Sequence, residues 1–295
     1  MRTALVTGVT GHVGDRLADR LREGGMAVRV SVRTAEAARA AELRGWQPVL
    51  ADLADAASVG AAVAGVDAVV HAAGYLGTDW STAVAVNVDG TARLAAAATT
   101  AGVRRFVHIS TMSVHGIPQP DGLGEESPLD PDSEHPYVAT KARAELALAA
   151  ARERGLDCVI LRPGAICTVR HSQWGDEMIE RIRSGGWPAN WHPDDVIPWG
   201  RTEDLAAMTW LAVTHPCAAG QTLIAADRNV AIRDYLVPLA EAVGRPAVAP
   251  DRAPNVSRCR IGRISRVLGY APRHTFEQTL SELLELATSA RDLPP

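Results

Sequence analysis

Apolar runs of strand length alternate with alanine- and leucine-rich segments of helical period through the first half of the chain. The runs are Thr3–Thr7, Ala27–Val32, Pro48–Ala51, Ala68–His71, Arg105–Ser110 and Cys158–Leu161. Between them, helical patterning falls near Val13–Glu23, Ala35–Leu43, Ala56–Val63, Thr82–Thr100 and Tyr137–Arg154. Nearly continuous apolar strands separated by helices predict a parallel sheet covered on both faces. Right-handed crossovers then make it a doubly wound α/β fold. After Pro163 the alternation fades, and residues 164–200 read as loop around one helical patch, Asp176–Arg183. A helix near Glu203–Val213 and a strand Gln221–Ala225 read as a return to the sheet, and the tail from Ile232 carries two amphipathic helices.

Composition narrows the class. At 295 residues and 47% hydrophobic the chain can bury a large core, and 22% charged residues exclude global disorder. A net charge of -4 with no basic tract speaks against nucleic acid as a partner. No apolar run approaches the roughly 18 to 20 residues of a membrane span. The opening MRTALVTGVTG is strand and turn rather than secretory leader, so a cytoplasmic protein is expected. Cys158, Cys167, Cys217 and Cys259 form no CxxC pair, which predicts reduced thiols and no metal. The thirty basic residues comprise twenty-nine arginines and a single lysine, Lys141.

Directly after the first strand comes Thr7-Gly8-Val9-Thr10-Gly11-His12-Val13-Gly14, opening a helix. Such glycines allow a sharp turn, bring backbone N–H groups against a pyrophosphate and let the helix pack closely on the strand. Residues 1–163 are therefore expected to form a Rossmann domain, with a return segment at about 202–226. Residues 164–201 and 227–295 would form a smaller C-terminal substrate-binding lobe. The second strand ends at Val32-Arg33 with no carboxylate before Glu36. Arginine there accommodates a 2′-phosphate where an acid would bind the 2′-hydroxyl, so NADP is expected over NAD. Asp52-Leu53, after the third strand, stands where an adenine contact belongs, although Asp52 serves equally as a cap for a helix from Ala54.

Tyr137 and Lys141 open a long helix four residues apart, on one face. A phenol, with an ordinary pKa of about 10, becomes a useful acid or base when a nearby cation favours the phenolate. In a chain that uses arginine everywhere else, a lone lysine suggests a task for a compact charge on a flexible stem. The fifth strand ends in Ser110-Thr111-Met112-Ser113-Val114-His115-Gly116, which sets hydroxyls at the carboxyl edge where such sheets bind ligands.

TGxxGxxG, His71-Ala72-Ala73-Gly74, Asn87-Val88-Asp89-Gly90-Thr91, the hydroxyl run, YxxxK and Leu161-Arg162-Pro163-Gly164 follow one another in this order. As a set they resemble the extended short-chain dehydrogenase/reductases of the epimerase/dehydratase branch. The resemblance is strong over residues 3–164 and continues weakly through Glu203–Ala206 and Leu268–Pro272. It implies Tyr137 as general acid/base, Lys141 as the group that lowers its pKa and binds the nicotinamide ribose, and Thr111 as hydrogen-bond donor to the substrate oxygen. Gly8, Thr10, Gly11, His12, Val13 and Gly14 would carry the pyrophosphate, and Ala72, Ala73, Gly74 and Pro163 would line the dinucleotide. The Val-Arg-x-x-Val-Arg run ending at Arg33 is similar to that of the family's NADPH-using dihydroflavonol-type reductases.

Two departures from the family pattern matter. His115 stands where the family often has tyrosine, either shaping the pocket or serving as a structural histidine. Met112 and Ser113 stand where the family's sugar-nucleotide dehydratases carry an Asp-Glu pair, which argues against 4,6-dehydration. Trp174, Trp187, Trp191 and Trp199 fall where the family builds its substrate cover. They read either as a stacking surface for a ring, alongside Met112, Ser113 and His115, or as the core of the small lobe. The leading expectation is an NADPH-dependent ketoreductase acting on a small, ring-containing metabolite. The alternatives are a nucleotide-sugar epimerase or 4-ketoreductase using the same triad, and a non-catalytic NADP-sensing regulator. A homodimer is compatible with the alanine-rich faces of Thr91–Thr100 and Ala142–Ala151.

Overall fold

The computed structural model describes residues 2–188 and 190–289. The first half alternates as expected: β1 (Thr3–Thr7), α1 (Gly14–Glu23), β2 (Ala27–Val32), α2 (Ala35–Leu43), β3 (Gln47–Leu50), α3 (Ala56–Val63) and β4 (Ala68–His71). A helical run follows, made of α4 (Trp80–Ala83), a π-helical stretch Val84–Gly90 and α5 (Thr91–Thr100). Then come β5 (Arg105–Ile109), a 3-10 turn Met112–His115, α6 (Pro136–Glu153) and β6 (Cys158–Pro163). The later segments are β7 (Ala165–Cys167), α7 (Asp176–Gly185), β8 (Val196–Arg201), α8 (Thr202–Thr214), β9 (Thr222–Ala225), β10 (Arg228–Ala231), α9 (Ile232–Ala242), α10 (Arg263–Leu268) and α11 (Phe276–Ser289).

Seven strands form one sheet in the order β3-β2-β1-β4-β5-β6-β9, every pairing parallel. Strand periodicity sends alternate residues to opposite faces, and both faces are apolar. Ala4, Val6, Val70, Val107 and Leu161 pack with Leu17, Leu21, Leu205, Met208 and Ile264, which places α1, α8 and α10 on one side. Leu5, Val69, Phe106 and Ile160 pack with Val59, Leu94, Ala98 and Leu148 from α3, α5 and α6 on the other. The doubly wound reading holds.

The later half differs from its expectation. Residues 164–200 contain two strands rather than loop alone, and the order β10-β8-β7 makes a second, three-stranded sheet. β7 has only three residues and β8 is interrupted by Pro198, so neither shows a full strand signature. Among the described residues the tail contains three helices, not two; α10 spans only six residues. Among the described residues, no helix is long and apolar enough to cross a membrane.

Candidate active site

The glycine turn is set by backbone crowding. Gly8 adopts φ +77°, and a Cβ there would lie 2.6 Å from the Ala73 nitrogen. At Gly14 a Cβ would lie 2.2 Å from the Gly8 carbonyl oxygen. Gly11 differs: its Cβ would meet only that oxygen, at 3.5 Å, and Thr10, Gly11 and His12 are exposed. The two outer glycines thus let β1, β4 and α1 converge, while the middle one leaves room above the turn. The residue before α1, Val13, supplies no side-chain cap, so the amides of the first turn and the positive end of the helix dipole are available to an anion. This cradle fits the pyrophosphate of a dinucleotide. Half-exposed His12 lies 3.2 Å from Glu177 of α7 and ties the turn to the lobe.

Around it, Ala72 and Ala73 are half-buried, Gly74 is exposed, and Pro163 is buried at the end of β6. Arg33 is exposed just beyond β2. The Asp52 carboxylate accepts from the Ala54 amide at 2.8 Å but does not cap a helix. That cap is Asp55, which accepts from Ala57 and Ser58, and the helix begins at Ala56. Leu53 packs against the core on the α3–α5 side.

Pro136 opens α6, a position that suits a residue without an N–H. This start sets Tyr137, Lys141 and Glu145 on one helical face at intervals of four residues. Tyr137 is half-buried beside Thr111. Burial pushes the phenol above its ordinary pKa, and the neighbouring Thr111 hydroxyl pulls it back. Thr111 itself is buried, and its Oγ1 accepts from the Ser113 amide at 3.1 Å, fixing the 3-10 turn. The Lys141 ammonium is turned onto the end of β5: Nζ donates to the Ile109 carbonyl at 2.8 Å and lies 3.1 Å from His108 Nε2. Burial drags its pKa down to about 8, opposed by Glu145. Two of three ammonium donors are therefore engaged with β5.

Asn87, in the π-helical stretch, accepts from the Tyr75 amide and donates to the Tyr75 carbonyl and to Thr140 Oγ1 at 3.0 Å. One amide side chain thereby pins the segment after β4 to the start of α6.

Below the triad lies a buried polar network that the motif spacing did not predict. Arg162 shares its single Nε–H between the two Glu145 carboxylate oxygens, at 3.0 and 3.2 Å, and Glu145 also accepts from Arg162 Nη2 and the Ser110 hydroxyl. Arg162 NH1 also reaches His115 Nε2 at 3.2 Å, and His115 Nδ1 donates to the Pro128 carbonyl at 2.7 Å. With both ring nitrogens engaged and the residue buried, His115 belongs to this network and not to a pocket wall. Met112 is buried, and Ser113 is half-buried. A second missed group is a histidine pair: the β4–β5 register sets His71 opposite His108, with ring centroids 5.2 Å apart. His71 bridges Thr7 and Thr91 through its two nitrogens. Both rings are 0% exposed, and burial holds His71 down at about 3 and His108 well below its ordinary range.

The tryptophans are chiefly packing. Trp199 is fully buried and meets Phe276 edge-on at 5.2 Å, and Trp187 is buried in the same cluster. Trp174 and Trp191 meet each other at 5.4 Å and pack half-buried against it. Trp187, 9% exposed, sits within the lobe's apolar cluster and donates its indole N–H to the Trp191 carbonyl at 2.8 Å.

Residues 4–225 match the model of the NAD dependent epimerase/dehydratase family. The chain belongs to that family, and so to the extended short-chain dehydrogenase/reductases. It is 33% identical to a 2-alkyl-3-oxoalkanoate reductase of Stenotrophomonas maltophilia over 95% of this chain and 87% of that protein. It is 29% identical to a UDP-glucose 4-epimerase of Mycolicibacterium smegmatis over 97% and 98%. The dTDP-glucose 4,6-dehydratase of Streptomyces venezuelae, solved with NAD and TYD bound, superposes with a TM-score of 0.80 at 26% identity, covering 99% and 98%.

These findings correct two expectations. NAD, not NADP, is the dinucleotide in that structure and in others of similar identity, so the 2′-phosphate reading of Arg33 fails. An exposed guanidinium beyond a strand end makes no fixed phosphate site by itself. The NADPH-dependent ketoreductase reading falls with it, because enzymes of nucleotide-linked sugars, structures solved with NAD among them, match along most of the chain.

Proposed function

We propose that this chain is an NAD-dependent epimerase of a nucleotide-linked hexose, inverting the C4 carbinol. The observation that carries the reading is the residue set around Tyr137. Thr111 and the phenol stand side by side, while buried Met112 and half-buried Ser113 offer no carboxylate for eliminating water. A 4-keto sugar formed there has no elimination acid and base, so its remaining course is to be reduced again.

The nicotinamide, when bound, supplies a hydride acceptor and donor. Thr111 donates a hydrogen bond to O4 and holds it against the phenol. Tyr137 takes the O4 proton as C4 loses hydride, and returns it when hydride comes back to the opposite face of a turned sugar. The sum is redox-neutral. Lys141 supplies the positive charge that favours the phenolate, and the Gly8–Gly14 turn receives the pyrophosphate. The start of α6 and the end of β5, with Asn87 as clamp, keep the acid/base pair in place. We also propose a homodimer through α4 and α6, where Trp80 and Leu146 are exposed at 41% and 50%; sedimentation of the purified protein checks it.

The test is incubation of the purified protein and NAD with UDP-glucose, UDP-glucuronic acid and dTDP-glucose, followed by proton NMR. The expected product is the C4 epimer with no net change in absorbance of reduced cofactor. Stoichiometric consumption of a reduced dinucleotide with a simple ketone, and none of the epimer, would overturn the proposal.

A further inference from the structure

His108 has no place in the chemistry just described, yet it is placed with care. It sits on β5, two residues before Ser110, with 0% exposure, and its Nε2 lies 3.1 Å from Lys141 Nζ. Its Nδ1 is buried without a hydrogen-bond partner among the described residues. An ammonium has donors and no acceptor, so a charged Lys141 can meet Nε2 only if that nitrogen is bare and Nδ1 carries the proton. The unpartnered Nδ1–H is then the cost of presenting a lone pair to the lysine.

The charged and titratable surroundings agree. His71 faces His108 from β4 and Lys141 from α6, while Glu145 acts on the lysine from the same helix and is itself paired with Arg162 of β6. Glu145 is engaged by Arg162 and Ser110 and does not bond the lysine directly. Of the groups bonded to Nζ, the Ile109 carbonyl belongs to the backbone and would be present with any side chain. Among the described residues, His108 is the one side chain that accepts from it.

We propose that His108 is a positioning residue of the active site, one that accepts a hydrogen bond from the Lys141 ammonium and holds it at the end of β5, one helical turn from the phenol. This deepens the reading of Tyr137 and Lys141 given above and rests on it for its functional meaning. The interaction itself is independent of any substrate. By favouring the charged lysine in a buried place, His108 keeps the cation in being over the pH range in which the phenol is to act. Lys141, with its pKa near 8, is close to losing that charge.

The composition makes the test direct. Lys141 is the only lysine, so protein grown on carbon-13 and nitrogen-15 lysine yields a single side-chain Cε signal, assigned without further work. Titrated by NMR, the wild-type signal is expected to show a midpoint near 8. In His108→Leu the midpoint falls by about one pH unit or more, the scale of a lost hydrogen bond to a charged group. His108→Gln, whose amide oxygen can accept, restores the wild-type midpoint to within about half a unit. An unchanged or raised midpoint in His108→Leu overturns the proposal. If His108→Leu does not fold, the nitrogen-15 shifts of His108 in the wild type decide: protonated Nδ1 with bare Nε2 supports it, and the reverse tautomer sinks it. A shifted midpoint in a protein that epimerises no sugar would refute the proposed function alone.

Discussion

The carboxyl edge of the parallel sheet and the interior of the smaller lobe are both buried, but they are built from opposite materials. The edge holds His71, His108, Ser110, Lys141, Glu145 and Arg162, each at 5% exposure or less. The lobe holds Trp187, Trp199, Tyr235 and Phe276, the last three packed edge to face. Apolar burial is favourable on its own, whereas burial of ionisable groups is unfavourable unless each is paired. The contrast teaches that the conspicuous tryptophans are chiefly structural, and that the chemistry gathers where the chain tolerates costly burial.

The largest effect that would sharpen this contrast is at the edge. Tyr137→Phe is expected to lower turnover by about a thousandfold or more while leaving NAD binding and the melting temperature close to wild type. Retained turnover would remove the phenol from the mechanism. In the lobe, Trp199→Ala should cost about 3–5 kcal/mol of stability, read by urea unfolding, because it empties a fully buried site. A loss below about 1 kcal/mol would mean that the aromatic cluster is not the core described.

Acid should strike the edge first. His71 has its folded pKa depressed to about 3, below its unfolded value of 6.5. The unfolded chain therefore takes up the proton first, and stability present above pH 6.5 is lost progressively as pH falls toward 3. His108, depressed in the same direction, adds to the loss. Unfolding midpoints measured at descending pH should drop, and His71→Asn should flatten the dependence. A wild-type midpoint flat through this window would contradict the buried neutral pair. The smallest effect is expected at Arg33: exposed beyond β2, its change to Ala should alter NAD affinity by less than about threefold, measured by titration calorimetry.

Much of the sheet was legible because β1, β4, β5 and β6 are short runs buried along nearly their whole length, β2 buries its alternate valines, and helices of clear period separate them. The glycine turn and the Tyr137–Lys141 spacing were legible because local geometry alone sets them. The second sheet was not: β7 is too short to show a period, and Pro198 lies inside β8. Neither was the histidine pair. His71 and His108 lie far apart in the chain, and only the parallel register of β4 on β5 sets them opposite each other. Glu145 could have been found, four residues beyond Lys141 on the same helical face, but its partner Arg162 comes from a different element, β6. Arg33 was legible as a residue but misleading as a cofactor signal, since an exposed arginine has no geometry until something binds it.

The central claim is that hydride leaves C4 of a nucleotide-linked hexose and returns to the same carbon. A substrate deuterated at C4, incubated with the protein and unlabelled NAD, tests it in one measurement by NMR and mass spectrometry. The expected product is an epimer that keeps its deuterium at C4, with inverted configuration and NAD unlabelled. Loss of the deuterium to solvent, or its accumulation on released cofactor, would contradict it.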